Sequence, residues 1–252
     1  MGRSSGLWHP GKVPEIRAGY WWHAENATGF STTGFSVPDG NGSTKALVQA
    51  TVASQPTLLR EKNTNAFRMR NAADSNPSLI GSATFQAGWT TATYIAGWFR
   101  LPSGTPTGNG ALAQHNTTTG NQNRHNFSIS VTGLTAAVSS DGISGNIKSN
   151  LHSGVVFNDL QWHFCEYMFI GTGSTEQEKM PVFVDFSQQA RTNGTGSIPS
   201  SALDATAGFG VGCRFQNSLA NVDTTDWCSV YYGNGIPKLS HRIALSRFKP
   251  PT

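Results

Sequence analysis

Apolar and polar positions alternate with a period of two through most of this chain, and helical spacing is rare. "TATYIAGWFR" sets Tyr94, Ala96 and Trp98 on one face and Ile95, Gly97 and Phe99 on the other, as a strand does. "AFRMRN" alternates Phe67 and Met69 against Arg68 and Arg70, the pattern of a half-buried strand, and "NFSISVTG" turns Phe127, Ile129 and Val131 inward. "LTAAVSSDG" follows closely enough to pair with it as a hairpin. Further strands are predicted in "GVVFNDLQWHFCEYMFIG", "MPVFVDFSQQ", "GFGVGCRFQ" and "WCSVYYG". Asp39-Gly40-Asn41-Gly42 is a tight turn, because Asp-Gly and Asn-Gly tolerate the positive φ such turns require. Residues 102–123 read as a long polar loop broken only by the apolar "ALA" at 111–113. Helical spacing occurs in "PKLSHRIALSRF", where Leu239, Ile243 and Phe248 share a face, and predicts one short C-terminal helix. Gly, Pro and Ser break any pattern in residues 1–19, which read as an arm preceding one domain over 20–252. Short strands separated by turn signals, with no internal repeat, make that domain a β-sandwich or jelly roll.

Composition narrows the function. Charged residues are 13% of the 252, about half the usual quarter. With 28 glycines and abundant Ser, Thr and Asn, the surface should consist of neutral hydrogen-bonding groups. The net charge of +4 is thinly spread, and Arg60, Lys62, Arg68 and Arg70 are interrupted by Glu61. Nucleic acid would call for a dense basic stripe, so it is not an expected partner. No apolar run approaches the ~20 residues of a membrane span, and the N-terminal stretch has no signal-peptide core. Cys165, Cys213 and Cys228 lack the spacing of a disulfide framework or a zinc site.

The order of several short motifs resembles the laminin-G-like, concanavalin A-like jelly roll. "VPDGNG" precedes "QPTL"; "YIAGWFRL", "FSIS" with "SSDG", "LQWHFCEYMFIG" and "VFVDF" follow, and "IPKLSHRIALSRF" closes the series. Phe186 stands where the family usually has a hairpin glycine. The resemblance covers roughly residues 20 to 248 and implies an all-β sandwich with one short C-terminal helix. It also implies that the His163, Cys165, Tyr167 and Phe169 face of that strand lies between the sheets. Glu166 is then left on the outer or concave face, among aromatics, as a ligand-facing residue. Such domains occur in extracellular adhesins, carbohydrate-binding modules and tailed-phage virion proteins. The last setting suits a lectin-like chain without an export signal. The expectation is a non-enzymatic head decoration or fibre or tail component on the virion surface. It would attach to other virion subunits through the arm, with surface glycans as ligands and a homo-oligomer as one assembly. The alternatives are a secreted carbohydrate-binding module and a jelly-roll polysaccharide lyase.

Candidate chemistry follows from residue type. Glycoside hydrolysis needs two carboxylates flanking the bond; Glu176 and Glu178 have close spacing but sit in "GTGSTEQEK", read as an exposed loop. A lyase would use an Arg, Gln, His and Tyr set; "QNRHNF" supplies Gln122, Arg124 and His125, and "SVYYGNG" supplies Tyr231 and Tyr232, without ordered lyase motifs around them. No nucleophile elbow or phosphate loop is present, and no catalytic residue is assigned. Exposed aromatics beside amides would bind sugar: Trp89, Tyr231 and Tyr232, with His115 and Asn116. No cofactor is required, but family members hold calcium at a loop rim, and Asp39 with Asn41, or Asp223 with Asp226, could supply oxygen ligands. Against that stands the ordinary role of such residues as turn formers bonded to their own backbone.

Overall fold

The computed structural model describes residues 8–61, 64–69, 81–82, 84–86, 88–102, 110–116, 123–130, 133–141, 146–153, 159–204, 206–212 and 225–248. Asp223, Cys213, Gln122, Val131, Lys62 and Arg70, the first seven residues of the arm and the side chain of Asn116 lie outside that set. The strands in the first half are β1 (Tyr20–His23), β2 (Ser36–Val37), β3 (Leu47–Val48), β4 (Thr57–Arg60), β5 (Asn65–Arg68), β6 (Gly81–Ser82), β7 (Phe85–Gln86), β8 (Ala92–Arg100) and β9 (Gly110–Asn116). They continue with β10 (Asn123–Ser130), β11 (Gly133–Val138), β12 (Lys148–Ser153), β13 (His163–Ile170), β14 (Val182–Val184), β15 (Ser187–Gln188), β16 (Asn193–Gly194), β17 (Thr206–Val211) and β18 (Asp226–Asn234). Among the described residues three α-helices accompany them: α1 (Pro14–Arg17), α2 (Glu176–Lys179) and α3 (Leu239–Ser246).

Two antiparallel sheets face each other. The first runs β15-β14-β13-β8-β18-β5-β4, with β1 also paired to β18. The second runs β16-β12-β11-β10-β9-β17-β6-β3-β2, with β7 on β17. Alternation decides what lies between them: Ile95, Phe99, Tyr167, Phe169 and Trp227 from the first sheet meet Phe127, Ile129, Leu134 and Phe209 from the second. The predicted β10–β11 hairpin forms, with Phe127 opposite Ala136 and Ile129 opposite Leu134. The two faces of β13 sort as the alternation requires, with Cys165, Tyr167 and Phe169 between the sheets and Phe164 and Met168 outside. Phe186, in the position of a hairpin glycine, adopts a left-handed φ of 67° in the tight β14–β15 turn.

The outer face of the first sheet is covered, which alternation alone did not reveal. Residues 8–19 do not project as an arm. They coil through α1 and bury Val13 and Ile16 against Tyr94, Ala96 and Tyr231, and α3 adds Leu245 to the same cluster. Burying each of these aliphatic side chains contributes about 1.5–3 kcal/mol. Two further corrections concern local structure. The stretch 110–116 is a full strand inside the predicted loop, and Gln114 and His115 are ladder residues of it. The stretch around Glu176 is a one-turn helix closed by a capping box, in which Thr175 Oγ1 accepts from Glu178 N and Glu178 accepts from Thr175 N. Helices of one turn, such as α1 and α2, are too short to show a 3.6-residue period.

Candidate functional site

Five of the residues expected to meet a ligand do converge, four of them in the interior and the half-buried Trp89 at the edge of the cluster. β9 and β10 carry His115 and His125 inward, opposite Tyr232 of β18 and Tyr167 of β13. Tyr232 Oη and His115 Nδ1 are 2.8 Å apart, and His125 Nδ1 lies 3.0 Å from Tyr167 Oη. Arg124 reaches the Trp89 carbonyl through Nη2 and places Nη1 3.9 Å from Asp204 Oδ1. Trp89 packs edge-on to Tyr232 at 5.3 Å, and Phe85 stacks on His115 at 4.6 Å. Arg124, His115, His125 and Tyr232 are fully buried. Burial, then the neighbouring Arg124 charge, lowers the His115 pKa to about 3, and burial raises Tyr232 to about 12. Both groups are therefore neutral near pH 7, and both side chains are fully buried. The set tethers one sheet to the other.

The remaining expectations are also relocated. Glu166 does lie on the outer face of β13, yet it is sealed there. Arg242 of α3 donates to both its oxygens at 2.7 Å, and the Tyr94 hydroxyl donates to Oε1 at 2.7 Å. Tyr231 is no stacking platform, because it is fully buried and donates to the Leu245 carbonyl. Asp226 is fully buried in ion pairs with Arg68 and Arg100 rather than at a loop rim. Asp39 turns its oxygens to backbone N–H groups, accepting from Trp21 and Asn41 on Oδ1 and from Ser43 on Oδ2. Asn41 donates to the carbonyls of Ile16 and Gly19 and accepts from Trp21 Nε1. These two residues tie the N-terminal segment to β1, the turn role set against calcium. Among the described residues no cluster of three or more His, Cys, Asp or Glu could hold a metal.

Where α1 and α3 pack on the first sheet its strand side chains are sealed, and the outer face of the second carries half-buried polar side chains beside the buried Gln114 and Ala137. Pairing brings Gly210, Gln114, Asn126, Ala137 and Ser149 into one row across β17, β9, β10, β11 and β12. At ~4.8 Å per strand that row is about 19 Å long. Ser128, Thr135 and Leu151 form the next row. Asn126, Ser128, Thr135 and Ser149 are half-buried, and none of the side chains in either row is charged. Gln114 donates to Asn126 Oδ1 at 2.8 Å, while its own Oε1, buried, has no partner among the described residues. Sequence reasoning missed Gln114 and Asn126 because their proximity depends on register; the alternation in "RHNFSIS" was the available signal.

No protein-family model matches the sequence, and no curated protein matches it. Solved structures do. The binding domain of botulinum neurotoxin serotype D/C superimposes with a TM-score of 0.60 at 10% identity, over 93% of this chain and 53% of that one. The fold shared with it is a β-sandwich. A botulinum neurotoxin type C structure, described by its interaction with two ganglioside molecules, gives a TM-score of 0.57 at 9% identity, over 84% of this chain and 49% of that one. Trypanosoma rangeli sialidase gives 0.56 at 11% identity, over 90% of this chain and 32% of that one. The chain thus spans about half the length of the toxin structures it matches. At such identities the likeness is one of fold.

Proposed function

We propose that this lectin-like sandwich is a non-enzymatic glycan-binding module, carried on a phage virion as a head decoration or a fibre or tail component. The observation behind glycan binding is the uncharged amide-and-hydroxyl row through Gln114, Asn126 and Ser149. Sugars are recognised by directional hydrogen bonds to neutral groups, and the half-buried Asn126, Ser128, Thr135 and Ser149 present such groups on this face. A toxin structure that shares the fold is described by its interaction with two ganglioside molecules and the sialidase by its complex with 2,3-difluoro-KDN, which supports a glycan as the ligand class. Support for a binding role rather than catalysis comes from Glu166 and Asp226, whose carboxylates are committed to arginines. A glycan array tests the reading: the wild-type chain should be retained, and the Gln114→Ala/Asn126→Ala variant should lose retention while staying folded. Retention of nothing by the wild type defeats it. The virion setting fails if mass spectrometry of purified particles does not find the protein.

A further inference from the structure

A second surface has the make-up of a ligand site. A groove of about 400 Å³ opens on the outer side of the first sheet, at the end of β1, bordered by Trp21, His23, Glu25, Asn26, Arg247 and Phe248. That volume falls within the ~300–1,000 Å³ typical of small-molecule sites.

Its aromatic walls are held rigidly. The Trp21 indole lies on Gly40, where an added Cβ would sit 2.0 Å from the ring, and its Nε1 donates to Asn41 Oδ1 at 3.1 Å. Phe248 is braced at 5.3 Å by Trp8 and meets the His23 ring edge-on at 6.4 Å. The polar groups are oriented too. His23 Nδ1 accepts from Glu25 N at 3.2 Å, which places the ring proton on Nε2 as a donor. Burial lowers the His23 pKa, so that tautomer persists at neutral pH. Glu25 is anchored by Oε1, which accepts from Asn65 N at 2.9 Å. The Asn26 carboxamide and the exposed Arg247 guanidinium complete the rim.

The charges of Glu25 and Arg247 oppose each other, so an anion meets Glu25 and a cation meets Arg247. What suits rigid rings edged by planar donors and acceptors is an amphipathic, uncharged molecule, with apolar C–H faces and a hydroxyl rim. The geometry points to a second saccharide site, in which the groove takes one or two neutral pyranose units against Phe248 and Trp21. Hydroxyls would bond to His23 Nε2–H, Asn26 and Glu25. This rests on the glycan-binding reading and adds a site on the side of the molecule away from the Gln114 row.

The test is a glycan array of neutral and sialylated oligosaccharides, followed by calorimetry on the retained ones. The wild type is compared with Asn26→Ala/Arg247→Ala and with Gln114→Ala/Asn126→Ala. Loss of at least about tenfold in affinity for a neutral glycan in the Asn26/Arg247 variant, at unchanged melting temperature, is expected from the loss of rim hydrogen bonds. If only the Gln114/Asn126 variant loses affinity, the groove inference falls and the glycan-binding reading stands. If the Asn26/Arg247 change affects sialylated glycans alone, the ligand is anionic and the neutral assignment is wrong. A wild type that retains no glycan overturns both.

Discussion

Replacing Arg242 by Ala should unseat α3 and destabilise the whole domain. Glu166 is fully buried, and its carboxylate is neutralised by two N–H···O bonds from Arg242 at 2.7 Å, with the Tyr94 hydroxyl as a third donor. Truncation leaves a desolvated carboxylate with one neutral partner, and breaking a buried pair in this way costs about 3–5 kcal/mol. The Arg242 guanidinium also stacks on Phe183 at 4.2 Å, which adds about 0.5–1 kcal/mol. For a chain of this size, 3–5 kcal/mol corresponds to a fall in melting temperature of about 6–20 °C. Urea unfolding followed by tryptophan fluorescence measures the loss directly. The triple variant Glu166→Leu/Arg242→Leu/Tyr94→Phe removes every charge and donor together and should recover most of the stability, because apolar packing often matches a buried ion pair. A loss under about 1 kcal/mol for Arg242→Ala is the behaviour of an exposed pair. It would mean that Glu166 is hydrated and α3 undocked, and the reasoning would be refuted.

Four further outcomes are expected. His115 and His125 are held neutral in the fold, by burial and then by Arg124, while the unfolded chain protonates below about pH 6.5. Their contribution is therefore full above that value and falls with acidification by about 1.4 kcal/mol per pH unit for each histidine; a flat urea-derived stability between pH 7 and pH 5 contradicts it. His163 behaves oppositely, because its hydrogen bond to Asp185 raises its pKa above 6.5. That contribution is present below pH 6.5 and lost as pH rises through the folded value, so His163→Ala should lower the melting temperature more at pH 6 than at pH 8.5. Asp39→Ala leaves the buried Trp21 N–H without its acceptor and should cost about 1–3 kcal/mol in urea unfolding. Millimolar calcium should leave the wild-type melting temperature unchanged, and a rise that Asp39→Ala abolishes would show that the Asp39 turn binds metal.

Alternation and turn chemistry were local properties, and the residues carried them unaided. Period-two patterns in "TATYIAGWFR" and "HFCEYMFI" assigned each side chain to a face, because a pleated strand leaves it no choice. Asp39-Gly40 marked its turn for the same kind of reason. What occupies a face was not local. Glu166 was correctly placed outside β13, but whether it met solvent depended on a helix that begins more than seventy residues later. That helix has Leu239 and Ile243 on its most apolar side, yet they are 55% and 40% exposed, while Arg242 and Leu245 dock. A buried carboxylate demands its cation more strongly than two aliphatic side chains demand cover, so the ion pair set the rotation of α3. The same limit applied to function. Residue type nominated His115, His125 and Tyr232, and strand pairing placed them inside. Gln114 and Asn126 looked like ordinary polar residues until the register of β9 and β10 set them side by side on the second sheet. Face follows from the chain one residue at a time; burial and neighbourhood follow only from segments that meet across long stretches of sequence.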